Sequence, residues 1–456
     1  MNGRNNENGN IQGIQALTER IKNKNIIEET YYGKFDVKRG LRNADGTGVL
    51  AGLTRICNVH GYIIDEYERV PYMGQLFYRG ININDIIDAC VKENRFGYEE
   101  VAWLLLFGTL PTQNELESFE VLLETQRELP RDFVEDIIMK AASPNIMNKL
   151  ARSVLALYSY DDNAEDNSAE NLLKQSVSLI ARLPSIMIAA YQVKRRAYDG
   201  KSIYLHQPRP GLTFAENILS MLRKNRKYTQ EEALLLDKCL ILHAEHGGGN
   251  NSSFACRVLS SSGTDTYSAI AAGIGSLKGP RHGGANIKVT EMLDCMKAGI
   301  KDYKDDVEIK DFLAKIVKKE AGDRSGLIYG MGHAIYTLSD PRAVVLKENA
   351  VKLVKEKGFK QDFALLDAVE RLAPEVLSDI KSDKKTVCAN VDLYSGLVYR
   401  MLDIPEELYT PLFAVARMAG WCAHRIEEVI SCKRIIRPAY RPIQESVNYV
   451  PINERK

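Results

Sequence analysis

The sequence predicts a mainly α-helical fold of two helical domains with a short β element near the N-terminus. Three observations predict it. Apolar residues recur at helical spacing over long stretches, β-forming residues concentrate in one short segment, and charge density changes along the second half of the chain. Ile309, Phe312, Leu313, Ile316 and Val317 follow an i, i+3, i+4, i+7, i+8 pattern, and Phe363, Leu366, Val369, Leu372, Ala373, Val376 and Ile380 make a similar stripe. Each predicts an amphipathic helix with one buried face.

In chain order, residues 1–45 are polar and rich in Asn, Lys and Glu, and are expected to form an N-terminal extension with one weak helical stretch, Ile14 to Ile27. Gly52 to Ile83 turns to Thr, Val, Tyr and Ile with interspersed Gly, the composition of short strands or a hairpin. Helices follow. Their breaks are expected at Gly108-Thr-Leu-Pro111, the polar run Asp161 to Asn167, Pro208-Arg-Pro-Gly211 and Gly358, where Gly, Pro and small polar residues stop a helix. Residues 301–385 are denser in Lys, Asp and Glu than their flanks. The expected organisation is a large discontinuous helical domain, 46–285 and 392–456, with a smaller helical domain, 286–391, inserted in it.

A chain of 456 residues holds two or three domains at a soft prior of about 150 residues each. Lys and Arg number 61 against 60 Asp and Glu, so no overall field draws the protein to nucleic acid or an anionic membrane. The longest apolar run read from the sequence, Val101 to Phe107, falls short of the roughly 18 residues a spanning helix needs, and the Asn-rich start has no signal-peptide core. A soluble, cytoplasmic protein is expected. The eight cysteines are scattered singly and read as reduced, mostly buried thiols.

Histidine carries the chemical signal. Of seven, His243 and His246 stand in HAEHGGGNNSS, His282 in KGPRHGGAN and His333 in YGMGHAIYTLSDPRA. Glycines beside a histidine let backbone and ligand approach closely and hold the ring on a turn. His243 and His246, three apart, could share a metal, but three glycines follow at once, no HExxH is present and no third ligand is evident, so no metal is assigned. Asp340 caps a helix that starts with Pro341. Arg342 then lies in the first turn, where an anion is favoured, unless it is simply solvated or salt-bridged. Asp392 precedes another helical run and is either a cap or a functional carboxylate. Arg417 sits among small apolar residues, where an uncompensated guanidinium is costly, so it needs an anionic partner from the protein or a ligand.

Taken together, HAEHGGGN, GPRHGGAN, GMGHAIYTLSDPRA, NVDLYSG, PLFAVARMAGWCAHRIEE and IIRPAYRP resemble, in order and spacing, the motifs of the citrate synthase family. The resemblance runs from about Gly52 to about Arg441 and is close to the bacterial Si-type citrate and 2-methylcitrate synthases, including YRGININDI and FGYEEVAWLLLFGTLPT near the start. It implies an almost all-helical homodimer whose subunits close a large and a small lobe over the substrates. Motif by motif, it implies that His282, His333 and Asp392 are catalytic, and that His246, Arg342, Arg417 and Arg437 bind oxaloacetate and citrate carboxylates. Arg437 would reach into the partner's site, and Gly330, Met331 and Gly332 would form a coenzyme A loop.

The implied reaction condenses acetyl-CoA with oxaloacetate and water to give citrate and CoA, through an enolate and hydrolysis of citryl-CoA. Acetyl-CoA is then a co-substrate and no cofactor is permanently bound. A carboxylate base can remove a weakly acidic methyl proton only if the enolate oxygen meets a preorganised donor; Asp392 would be the base and His282 the donor, held neutral at a helix start. His333 would polarise the oxaloacetate carbonyl, and closure would exclude water. The chain departs from common family patterns at Ala334, Arg281 and the Gly247–Gly249 run, which bears on coenzyme A contacts and acyl preference. The alternatives are 2-methylcitrate synthesis from propionyl-CoA, since one methylene is worth only about 1–3 kcal/mol, and a non-catalytic helical regulatory protein of the same fold. A Ser–His–Asp hydrolase is disfavoured, with no G-x-S-x-G present.

Overall fold

The computed structural model describes residues 18–19, 21–22, 25–43, 45–65, 68–381 and 387–455. It divides into two compact units, Met1–Ala51 with Arg437–Lys456, and Gly52–Ile436. In the first unit, α1 (Glu29–Lys34) is followed by a short turn at Arg39–Leu41 and an isolated bridge between Arg42 and Gly48. Its C-terminal segment has one short helical turn, Ile452–Glu454, with Arg441 stacked over the Phe35 ring at 5.3 Å. Of the expected helical stretch Ile14 to Ile27, half lies outside the described residues, and residues 18, 19, 21, 22 and 25 are helical.

The second unit opens with the β element that the sequence predicts. Strands β1 (Cys57–Asp65), β2 (Glu68–Tyr78) and β3 (Ile81–Asn82) form one antiparallel sheet in that order. The register runs from Cys57 opposite Tyr78 to Asp65 opposite Glu68, with a shift between His60 and Tyr62. Arg79 and Gly80, both at positive φ, make the tight two-residue loop into β3.

Fifteen further α-helices are described in this unit. They are α2 (Ile83–Glu93), α3 (Tyr98–Phe107), α4 (Gln113–Gln126), α5 (Ile146–Leu157), α6 (Ala169–Asp199), α7 (Phe214–Leu222), α8 (Gln230–His243), α9 (Asn251–Ser260), α10 (Thr266–Leu277), α11 (Ala285–Gly299), α12 (Asp306–Val317), α13 (Pro341–Lys357), α14 (Lys360–Lys381), α15 (Asp392–Met401) and α16 (Tyr409–Ser431). The two apolar stripes read from the sequence are α12 and α14. Threonine capping boxes start α4, α7 and α8, and Gly108 and Gly358 end α3 and α13 in left-handed conformation, as a helix stop demands.

Two long helices form the core. α16 is buried at almost every residue from Tyr409 to Arg425. α6 runs 31 residues straight through Pro184. It is also long and apolar enough to cross a membrane, which the reading of Val101 to Phe107 as the longest apolar run overlooked because charged residues punctuate it. However, 83% of its apolar window is packed inside the protein, so burial against other helices accounts for its composition.

Candidate active site

Five segments build the site: the end of α8 with the loop that follows it, the turn before α11, the loop from 328 to α13, the loop from 388 into α15, and α16, which carries Arg417. The third and fourth are fastened together. Gly332 N–H donates to Cys388 O at 2.7 Å and Asn390 N–H to Gly330 O at 2.8 Å, while the Asn390 side-chain amide donates to Gly332 O at 2.8 Å. Gly330 has φ +81°, and a Cβ there would stand 2.9 Å from Leu393 Cα; only glycine meets both demands. The GMGH and NVD motifs are therefore one structural piece, carrying His333 and Asp392. Asn390 Oδ1 accepts Asp392 N–H at 3.0 Å.

The hairpin holds this piece from the other side. Thr337 Oγ1 donates to Gly61 O at 3.1 Å and Ser339 Oγ accepts Gly74 N–H at 3.1 Å. Neither glycine has room for a side chain; a Cβ on Gly61 would lie 2.7 Å from Ile335 O.

Within the site, the His246 and His333 rings meet edge to face at 5.0 Å. Tyr336 joins them: it stacks on His333 at 4.6 Å, its hydroxyl is 3.3 Å from His246 Nε2, and the Arg342 guanidinium lies 5.8 Å from its ring. His333 Nδ1 accepts the N–H groups of Ile335 and Tyr336 at 3.1 and 3.2 Å, which puts the ring proton of a neutral His333 on Nε2. His282 Nε2 is 3.0 Å from Ser252 Oγ, and the same hydroxyl accepts Trp421 Nε1–H at 3.2 Å.

The arginines differ. Asp340 caps α13 by accepting Arg342 N–H, as expected, and also grips the Arg342 side chain from Nε at 3.0 Å and Nη2 at 2.7 Å. The salt-bridged alternative thus holds for two nitrogens, and Nη1 stands outside the pair. Arg417 is fully buried; its Nε donates to His243 O at 2.7 Å, while Nη1 and Nη2 have no hydrogen-bond partner among the described residues. Arg437 belongs to the first unit and is exposed.

Electrostatics follow burial. Desolvation, then Arg342, His333, Arg417 and His282, push the His246 imidazole well below its usual range. Burial and the Arg417 guanidinium lower His282 to about 4, so it is neutral at pH 7. Burial lifts the Asp392 carboxyl to about 6, with Arg342 opposing the rise and Asp340 adding to it. His243, the other half of the possible metal pair, donates Nδ1–H to Cys239 O at 2.8 Å and packs against Phe413.

Six of the seven catalytic and substrate-binding residues read from the sequence thus lie in one unit, as do the glycines at 330 and 332 and Met331 between them. Sequence reasoning missed Tyr336, the hub of the cluster, and Ser252 and Trp421 behind His282. The tyrosine three residues after His333 was the available signal; nothing local marked the other two.

Neutral imidazoles, a raised carboxylate and a buried guanidinium with two nitrogens unpartnered among the described residues form, in a mainly helical fold, an arrangement that can hold a small carboxylate. Residues 43–439 match the family model described as citrate synthase, C-terminal domain, and the chain belongs to the citrate synthase family. It is 34% identical to citrate synthase of Synechocystis, over 90% of this chain and 92% of that one. It is 30% identical to 2-methylcitrate synthase 1 of Corynebacterium glutamicum, over 92% and 98%. Among solved structures it is similar to the ternary complex of carboxymethyl coenzyme A and oxaloacetate with citrate synthase from Thermoplasma acidophilum, with TM-score 0.74, 25% identity, and coverage of 92% of this chain and 99% of that one.

Proposed function

We propose that this protein is a citrate synthase, condensing acetyl-CoA with oxaloacetate and water to give citrate and CoA. The buried, half-satisfied guanidinium of Arg417 beside His246 carries this reading. A core arginine with two unpartnered nitrogens is costly, and a carboxylate that takes both in a bidentate pair removes the cost.

Oxaloacetate then sits between Arg417, Arg342 and His246, with its keto oxygen accepting His333 Nε2–H. Asp392 takes the methyl proton of acetyl-CoA, and its raised carboxyl makes it a stronger base than an ordinary aspartate. If Ser252 directs its hydroxyl proton onto His282 Nε2, the ring proton rests on Nδ1 and meets the enolate oxygen. The enolate carbon attacks the keto carbon, His333 protonates the alkoxide, and water releases CoA from citryl-CoA. We further propose a cytoplasmic homodimer in which residues 286–391 form the small lobe, residues 330–332 border coenzyme A, and Arg437 reaches the partner's site. Asp392, His282 and His333 are all present, which disfavours a non-catalytic regulator.

The second reading, 2-methylcitrate synthesis from propionyl-CoA, draws on the 30% identity to such an enzyme over nearly its whole length. Thiol release with oxaloacetate plus acetyl-CoA, then propionyl-CoA, decides between them. Faster turnover of acetyl-CoA is expected; a propionyl preference reverses the assignment, and no release with either refutes both.

A further inference from the structure

Behind Arg417 lies a second buried charge that does not pair with it directly. Glu245 is fully buried, between His246 and the end of α8. Its Oε1 accepts Gly247 N–H at 2.5 Å and His424 Nε2–H at 3.0 Å, while Oε2 has no partner among the described residues. Arg417 and Glu245 influence one another electrostatically, yet among the described residues each keeps side-chain atoms without a partner. A direct salt bridge is the obvious resolution for such a pair, so something must prevent it.

The restraint is visible. Arg257 Nε donates to His424 Nδ1 at 3.1 Å, which assigns the proton of a neutral His424 to Nε2 and aims it at Glu245. Arg257 is in turn held by Glu428, at 2.5 Å, and by Glu427, and Glu427 accepts Arg55 N–H at 2.7 Å. Arg417, Gly420, His424, Glu427 and Glu428 recur along one face of α16. Gly420 is where Oε2 fits, since a Cβ there would overlap it.

We propose that Glu245 is a positioning residue for substrate binding: tethered through Oε1 by His424, it supplies the counter-charge that keeps Arg417 buried while leaving both terminal nitrogens of that guanidinium open to a carboxylate of oxaloacetate. This rests on the reading of Arg417 given under Proposed function. A carboxylate bonded directly to Arg417 would compete with the substrate; one held back stabilises the cation without occupying it.

The test is calorimetric titration of the full-length protein with oxaloacetate, alongside thiol-release kinetics. In His424→Leu Oε1 keeps only the Gly247 N–H, and Glu245, having lost its side-chain tether, is freer to turn onto Arg417. Oxaloacetate affinity should fall about 10- to 100-fold, the scale of one or two charge-assisted hydrogen bonds, with kcat at saturating oxaloacetate within about threefold. His424→Gln, whose amide N–H can hold the same oxygen, should recover much of the loss. Glu245→Gln should bind oxaloacetate at least as tightly as the unaltered protein while melting at a lower temperature, and adding it to His424→Leu should restore affinity. A part that only supports the fold would lower stability without this reversal.

Wild-type affinity in His424→Leu overturns the proposal, as does a double variant that binds no better than His424→Leu. Should His424→Leu fail to fold, Glu245→Gln decides alone: a tenfold loss of oxaloacetate affinity overturns the tether. Arg417→Ala separates the two claims. If it binds oxaloacetate normally, the reading of Arg417 falls and the tether with it; if it loses binding while His424→Leu does not, only the tether falls.

Discussion

Replacing Gly420 by alanine should cost about 100-fold in catalysis while lowering the melting temperature by only a few degrees. A Cβ at this position would approach Ala244 O and Glu245 Oε2 well inside 3.0 Å, where ordinary contact begins at 3.4 Å. The carboxylate can shift a little; the Ala244 carbonyl, fixed in backbone at the end of α8, cannot. α16 and the end of α8 must therefore part by on the order of 1 Å, an overpacking that costs about 3 kcal/mol, the upper end for such substitutions. Unfolding entropy scales with chain length, so this lowers the melting temperature by only about 3 °C if the chain melts as one unit. The site loses a comparable free energy, but there it reads as a large change in rate. Arg417 lies one turn before Gly420 on the same helix, and a misplacement of about 1 Å can cost roughly 100-fold in catalysis. Scanning calorimetry with thiol-release titrations over oxaloacetate measures both effects. An alanine variant with unaltered KM and kcat would refute the reasoning, because the junction could then open without moving the guanidinium.

Three further outcomes are expected. Asp392→Asn and His282→Ala should each lose at least about 100-fold in turnover while remaining folded; near wild-type thiol release in either would remove its assigned role. Because Asp392 is raised to about 6, kcat/KM should fall about tenfold per pH unit below that value, and a profile flat down to pH 4.5 would exclude it as the base. The sign for stability is opposite: a carboxyl raised on folding contributes stability that is full below its unfolded value and is lost as pH rises through 6, so Asp392→Asn should exceed the unaltered protein at pH 8 by about 3 kcal/mol, and by less at pH 4. Denaturant melts at the two pH values read that gap. Finally, inactive Arg437→Ala and Asp392→Asn chains, co-expressed with separate tags, should regain about one site in two as a heterodimer; verified heterodimers without activity would place Arg437 outside its partner's site.

What could be read from residues alone follows physical locality. The two stripes at 309–317 and 363–380, the cap Asp340 and the stops Gly108 and Gly358 act over a turn or two of chain, and the structure has them where the sequence puts them. The histidines were legible because glycines surround them, and glycine beside a functional group is a local constraint. The chain from Glu427 through Arg257 and His424 to Glu245 was not. Each member alone looks like a surface charge, and the contacts join residues more than 160 positions apart. One faint signal existed: Arg417 and His424, seven apart on an apolar helix, must share a buried face. α6 falls between the breaks read at Asp161–Asn167 and Pro208–Gly211; only its apolar character was missed, because charged residues punctuate it.

The hairpin that clamps the 335–341 loop has a consequence for how the molecule is made. Gly74 and its partner Ser339 are separated by 265 residues. At a synthesis rate of about 5–20 residues per second, β2 leaves the ribosome on the order of ten seconds to a minute before the loop it must grip exists. During that interval a long antiparallel ribbon bearing Ile63, Val70, Tyr72 and Met73, still exposed in the finished unit, waits without the surface that will cover its glycines. The nascent chain thus passes through a window in which unpaired strand edges invite association with other chains. Slow translation before codon 339 should lengthen that window, making the yield of soluble protein sensitive to elongation speed and to chaperone supply even where the finished enzyme is stable.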